Sequence, residues 1–153
     1  MPHIHEKIDF TVEVFIVYKD KVLLRMHDKH KIWLSIGGHI ELNEDPIEAA
    51  VREVKEEVGL EVEIVGHKPS IKDESDYKHL LAPKYLDSHY VNDVHQHVVF
   101  VYFAKATTDV ILDSVSEHER AETRWATKDD LEAMELRPNI LFYAKEALKE
   151  LGK

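Results

Sequence analysis

The chain contains no cysteine, so disulfides, thiolate metal sites and cysteine nucleophiles are excluded. No apolar run approaches the length of a membrane span, and the first residues do not resemble a secretory signal. On that footing the expected location is cytoplasmic. Cations are short as well: 20 Lys and Arg face 30 Asp and Glu, a formal net charge of −10. That balance argues against a general nucleic-acid or anionic-membrane partner. It leaves room for a small anionic substrate, because bound cations reverse the local field. Glycine and proline number only five each, and no linker, internal repeat or domain boundary is visible.

What is present is ordinary for a globular protein: 44% hydrophobic and 33% charged residues in 153. One domain spanning 1–153 is expected. Phe10 to His27 reads as two strands around a polar turn at Lys19–Lys21. Ile32–Ile36 reads as a third strand that ends at Gly37 and Gly38. A helix opens at Pro46, behind Glu44 and Asp45, and stops at Gly59. Glu61–Gly66 is a strand. The polar stretch from about His67 to Asn92 is too long for a plain loop, so it is expected to be functional or partly helical. His97–Ala106 is the strongest strand, and Glu122–Thr127 the last. Thr127 and Asp130 form a capping box for a short helix, and Pro138 opens the C-terminal helix.

Histidine is abundant, with 11 scattered copies. His95 and His97 share one face of a strand, yet no compact ligand set accompanies them in the sequence.

The helix from Pro46 to Gly59 carries the densest chemistry. At 3.6 residues per turn, Ile47, Ala50, Val51, Val54 and Val58 converge on one stripe that must pack on a sheet. Glu53, Glu56 and Glu57 fall on the flank beside it. Glu48, Arg52 and Glu56 form a second row of alternating sign, which ion pairs worth about 0.2–0.5 kcal/mol each could explain. Glu53 and Glu57 instead repel at i, i+4, and Glu57 lies close to the buried stripe, where an unpaired carboxylate is costly. A hard divalent cation among the three glutamates removes both penalties. Oxygen ligands of this kind suit Mg²⁺ or Mn²⁺.

From Gly38 the chain reads G-x5-E-x7-R-E-U-x-E-E-x-G-U, with U a bulky aliphatic. The fixed positions are Gly38, Glu44, Arg52, Glu53, Val54, Glu56, Glu57, Gly59 and Leu60, nine within 23 residues. This resembles the Nudix box of the MutT/Nudix hydrolases, and the flanking strands and helices extend the likeness over nearly the whole chain. The resemblance implies an α/β (α+β) fold, the Nudix fold, with a mixed β-sheet sandwiched between α-helices. It implies a hydrolase that uses Mg²⁺ or Mn²⁺ to cleave a nucleoside diphosphate linked to another moiety.

Carried onto this chain, Glu53, Glu56 and Glu57 become metal ligands, joined by the backbone carbonyl of Gly37. Gly37 and Gly38 are expected to let the main chain turn tightly and approach the ion. Arg52 orients the glutamates, while Gly38, Glu44 and Gly59 are structural. The general base is either Glu53 or a glutamate beyond the box, with Glu119 chosen over Glu117 and Glu122. Glu41 lies where relatives carry an acidic residue near the metals. Tyr77 stands where dinucleoside polyphosphate hydrolases tend to have a tyrosine, and is a candidate substrate contact. The usual proline before the double glycine is replaced by Ile36, and Asn43 fills a position where glycine is common; both bear on the substrate entrance.

The small size and the segment WLSIGGHIE look most like the MutT-like nucleoside triphosphate group. The other two readings are a nucleotide-sensing binding module and processing of an RNA 5′ end. Trp33, Tyr102 and Phe103 are candidates to stack a base. The stretch 67–96 offers either a substrate lid or a homodimer surface. The partner expected is a small nucleotide, with no stable nucleic-acid partner and no membrane.

Overall fold

A computed structural model describes residues 5–27, 31–112 and 121–153. Two long strands form the trunk of one mixed sheet: β1 (Ile8–Tyr18) and β7 (Gln96–Ala106) run parallel, in register from Ile8↔Gln96 to Val17↔Lys105. The outer edge of each is shared by two partners. On β1, β2 (Lys21–His27) pairs only at the turn, and β4 (Ile36–His39) takes over from Val14 to Thr11. On β7, β6 (Tyr85–Tyr90) and β5 (Val62–Val65) follow one another, both antiparallel. The strands β3 (Ile32–Leu34) and β8 (Thr123–Ala126) flank β2.

The helices α1 (Pro46–Val58), α2 (Lys128–Ala133) and α3 (Pro138–Leu151) complete the chain order. β1 is apolar on both faces because both are covered. Val12, Val14 and Ile16 pack with Ala49, Ala50, Val54 and Val58 of α1. Phe15 and Val17 pack with Ile140, Tyr143, Ala144 and Ala147 of α3. The sheet is therefore sandwiched between helices, as expected. No described helix is long and apolar enough to cross a membrane.

Two expectations are corrected, and of a third one alternative falls away. Ile32–Ile36 is not one strand: Ser35 separates β3, bonded to β2, from β4, bonded to β1. Gly37 and Gly38 lie inside β4 rather than in a turn, paired with Glu13 and Val12. The stretch after His67 contains no helix among its residues; it holds an isolated bridge between Glu74 and Tyr77 and then the strand β6. The alternating pattern of Tyr85–Tyr90 is too polar to declare a strand, and its pairing is supplied by the exposed edge of β7.

Candidate functional site

Helix α1 is fixed at both ends. Asp45 is the N-cap, and its side chain accepts from the Glu48 amide at 2.9 Å while the Glu48 side chain accepts from the Asp45 amide at 3.1 Å. Gly59 ends the helix at φ 67°, where its amide donates to the Lys55 carbonyl; this left-handed position favours glycine. Glu48 is thus spent on the cap and does not join the row with Arg52 that the spacing suggests. The buried stripe is also turned from the expected one. Ala49, Ala50, Glu53, Val54 and Val58 are buried, whereas Val51 is 43% exposed. Alanines at 49 and 50 let the helix approach the sheet on the side that carries Glu53 and Glu57, and Val51 rotates out.

The rotation drives two carboxylates inward. Glu53 is 6% exposed and the Glu57 side chain 13%, while Glu56 stays at the rim at 49%. Gly38 makes room for Glu53: a Cβ there would lie within 2.8 Å of all three carboxyl atoms. At Gly37 a Cβ would overlap the Val12 carbonyl oxygen. The two glycines therefore permit close approach from within a strand, and neither has a positive φ. The Gly37 amide donates to Glu57, whose carboxylate also lies 3.5 Å from Arg25.

Arg52 holds the constellation together. Its Nε and Nη2 bond the two oxygens of Glu44 at 3.0 and 2.6 Å, and its Nη1 bonds Glu53 at 2.9 Å and Glu56 at 3.2 Å. Nη2 also donates to the His39 carbonyl at 2.9 Å. A planar guanidinium can make this fork; an ammonium cannot. Glu44 is further anchored by the Glu41 amide at 2.9 Å, and hydrogen bonding from Arg52 lowers its pKa. Bonds to Glu44 and Glu53 raise the pKa of Arg52.

Burial raises the pKa of Glu53 despite Arg52. Burial pushes Glu57 up to about 8, with Arg25 opposing and Glu53 adding to the rise. Glu53, Glu57 and Glu56 offer carboxylate oxygens, the donor type that a hard divalent cation takes, beside the main chain of Gly37. Glu117 and Glu119 lie outside the described residues. Glu122 is exposed just before β8, its carbonyl accepting from the Met26 amide at 2.8 Å. Tyr77 is 62% exposed and packs on the His79 ring.

A cleft of about 710 Å³ opens on the other face of β4, between the sheet and α3, and Gly37 and Gly38 belong to its lining. Its polar groups include Glu13, Ser35, Asp87 and Tyr143. Ser35 donates to Glu13 at 2.7 Å and Tyr143 to Asp87 at 2.8 Å. Burial raises Glu13 to about 6. Sequence reading passed over these residues, although a glutamate within the apolar run TVEVFIVY was a signal. Of the proposed stacking residues, Tyr102 and Phe103, each 2% exposed, sit in the cores on opposite sheet faces, and Trp33 is half-buried against the core on the α3 side. Nor are His95 and His97 without company, since β1 brings Asp9 to them across the β1–β7 ladder.

The family model described as NUDIX domain matches residues 9–148. Among solved structures, a hydrolase of the NUDIX family from Clostridium perfringens is 40% identical, with a TM-score of 0.83 over 94% of this chain and 97% of that one. A MutT NUDIX hydrolase from Burkholderia pseudomallei (22% identity, TM-score 0.64, 95% and 99% covered) shares the fold. So does a mutator MutT protein from Bacillus halodurans (20% identity, TM-score 0.63, 92% and 82% covered). No curated protein matched the chain. A complete glutamate–arginine box, running from Glu44 through α1 and seated against a double-glycine strand, together with the family match places the chain in the Nudix family as a Nudix hydrolase.

Proposed function

We propose that the chain, as one domain over 1–153, is a divalent-metal-dependent pyrophosphohydrolase. Its substrate on this reading is a MutT-like (deoxy)nucleoside triphosphate or a related nucleotide. The observation that carries the reading is the inward pair of Glu53, buried, and Glu57, largely covered, two carboxylates that burial above all holds toward protonation.

Bound Mg²⁺ or Mn²⁺ would neutralise pyrophosphate charge, act as a Lewis acid and make water easier to deprotonate. Glu53, Glu56 and Glu57 would hold it, with the main chain of Gly37. Arg52 bonds one oxygen of Glu53 and one of Glu56, leaving each a second oxygen to offer. On this reading Glu53 accepts the proton of the attacking water. Water adds to phosphorus, the phosphoanhydride bond breaks, and the leaving phosphate departs with the electron pair. Glu119 remains the alternative base.

The cleft supports a nucleotide substrate. Its volume of about 710 Å³ lies within the range of small-molecule sites, roughly 300–1,000 Å³. Glu13 with Ser35, and Asp87 with Tyr143, present donors and acceptors suited to the edge of a base.

The test is phosphate and pyrophosphate release across a nucleotide panel, with Mg²⁺, with Mn²⁺ and with chelator. Glu57→Gln runs beside wild type. Metal-dependent turnover that the substitution abolishes upholds the proposal and ranks the substrates. Nucleotide binding without turnover on any compound would overturn it in favour of a sensing module.

A further inference from the structure

Sheet register gathers one aspartate and three histidines on the α3 face, away from the glutamates of α1. Asp9 stands opposite His97 across β1 and β7, and Thr11 opposite His39 across β1 and β4. His95 lies one residue before β7. Asp9, His95 and His39 are 0%, 2% and 7% exposed. Asp9 Oδ2 is 3.2 Å from His39 Nε2 and 3.3 Å from His95 Nε2. One ligand atom from each of Asp9, His95 and His97 falls within 4.8 Å of the others. The His97 ring stands almost perpendicular to those of His39 and His95, at 85° and 87°.

Three features distinguish this group from a plain set of imidazolium–carboxylate pairs. First, charge-assisted N–H···O bonds are about 2.7–2.9 Å long, and both Asp9 contacts are longer. They match the edge of a tetrahedron around Zn²⁺, about 3.3 Å for ligand bonds near 2.0 Å. Second, His95 Nδ1 lies 3.0 Å from the Glu6 carbonyl. A carbonyl only accepts, so Nδ1 carries a proton, and Nε2 is the ring atom turned toward Asp9. That is how a backbone carbonyl fixes the tautomer of a metal-binding histidine. Third, the His5 amide donates to Asp9 Oδ1 at 2.6 Å, which orients Oδ2 to the imidazoles.

We infer that Asp9, His95 and His97, with His39 held against Asp9, form a second metal site, built for a late first-row divalent cation, with Zn²⁺ the best fit. Its imidazole-rich donors differ in kind from the all-oxygen set on α1, so the two sites select different ions. Occupancy ties the start of β1 to β4 and to the turn between β6 and β7. It also reaches the hydrolytic side through His39, whose carbonyl accepts from Arg52. The role is structural: the ion braces the strand that carries Gly37 and Gly38. His39 and His97 also line the cleft, which gives the ion a route in.

The test uses tag-free full-length protein carrying Glu56→Gln and Glu57→Gln, which disable the carboxylate site. After chelator treatment it is titrated with Co²⁺, whose visible spectrum reports geometry. The expected result is saturation at one equivalent, a tetrahedral spectrum, and displacement by Zn²⁺. Adding His95→Gln and His97→Gln should weaken Co²⁺ binding more than ~100-fold, beyond the ~10–100-fold typical of losing an outer-shell partner. A folded parent protein with no saturating spectrum would overturn the inference, leaving His39 and His95 as ion-pair partners of Asp9. So would binding that survives the histidine substitutions. Should that variant fail to fold, X-ray absorption of the Co²⁺-loaded parent decides: imidazole nitrogens uphold the site, and an all-oxygen shell sinks it. None of these readouts depends on turnover, so the hydrolase proposal stands or falls separately.

Discussion

Gly38 and Glu53 occupy one space: a Cβ on the glycine would sit among the carboxyl atoms of the glutamate. The strand glycine and the helix glutamate, fifteen positions apart in the sequence, therefore form a single device. The glycine supplies a gap in β4, and the rotated helix fills it with an acid.

Gly38→Ala should displace Glu53 while leaving the fold in place, because Gly38 needs no positive φ and its neighbour is a side chain. Activity should fall at least ~100-fold, the scale of a 1 Å misplacement at a reacting centre. Circular dichroism should be unchanged. Wild-type kcat/KM in this variant would show that Glu53 works elsewhere.

Glu57 makes stability depend on pH. Its folded pKa is raised, from 4.5 to about 8, so the neutral form is favoured in the fold. Its contribution is fully present below pH 4.5 and is lost as pH rises toward 8. Metal-free wild type should therefore melt at lower temperature at pH 8 than at pH 5, and Glu57→Gln should flatten that slope. At pH 8 the variant should be the more stable protein. Each kcal/mol of relieved desolvation and repulsion is worth about 2–4 °C in Tm at this chain length. Mg²⁺ should restore the wild type and leave the variant unmoved. A steeper slope in the variant would refute the assignment.

Arg52→Lys keeps the charge but loses the fork to Glu44, Glu53, Glu56 and the His39 carbonyl. We expect metal affinity or kcat to drop ~10–100-fold, as for other residues that orient ligands. Isothermal titration with Mn²⁺ reads the first directly, and equal affinities would mean that the fork is dispensable.

Glu13→Gln and Asp87→Asn probe the cleft. If these groups read the base, each change should raise KM by about 10-fold or more for the preferred nucleotide, since unpaired buried polar groups cost about 1–3 kcal/mol. Metal binding should be untouched, and the ranking of bases should change. An unchanged ranking with both variants would move base recognition out of the cleft.

Local chemistry made much of this protein legible in one dimension. The run of β1 and β7, the caps at Asp45, Gly59 and Thr127, and the prolines that open α1 and α3 depend on neighbours in the chain, so the sequence determined them. The clustering of Glu53, Glu56 and Glu57 follows from helical spacing in the same way. Tertiary structure decided what depends on partners far away. The phase of α1 was set by small residues meeting the sheet, which buried Glu53 and exposed Val51. The strand state of Gly37 and Gly38 came from pairing with β1, and β6 exists because β7 offered it an edge. Glu13 beside Ser35, Asp87 beside Tyr143, and Asp9 among three histidines each join residues brought together only by sheet register and packing. Periodicity speaks of faces within one element; which face meets which is settled only when the sheet closes.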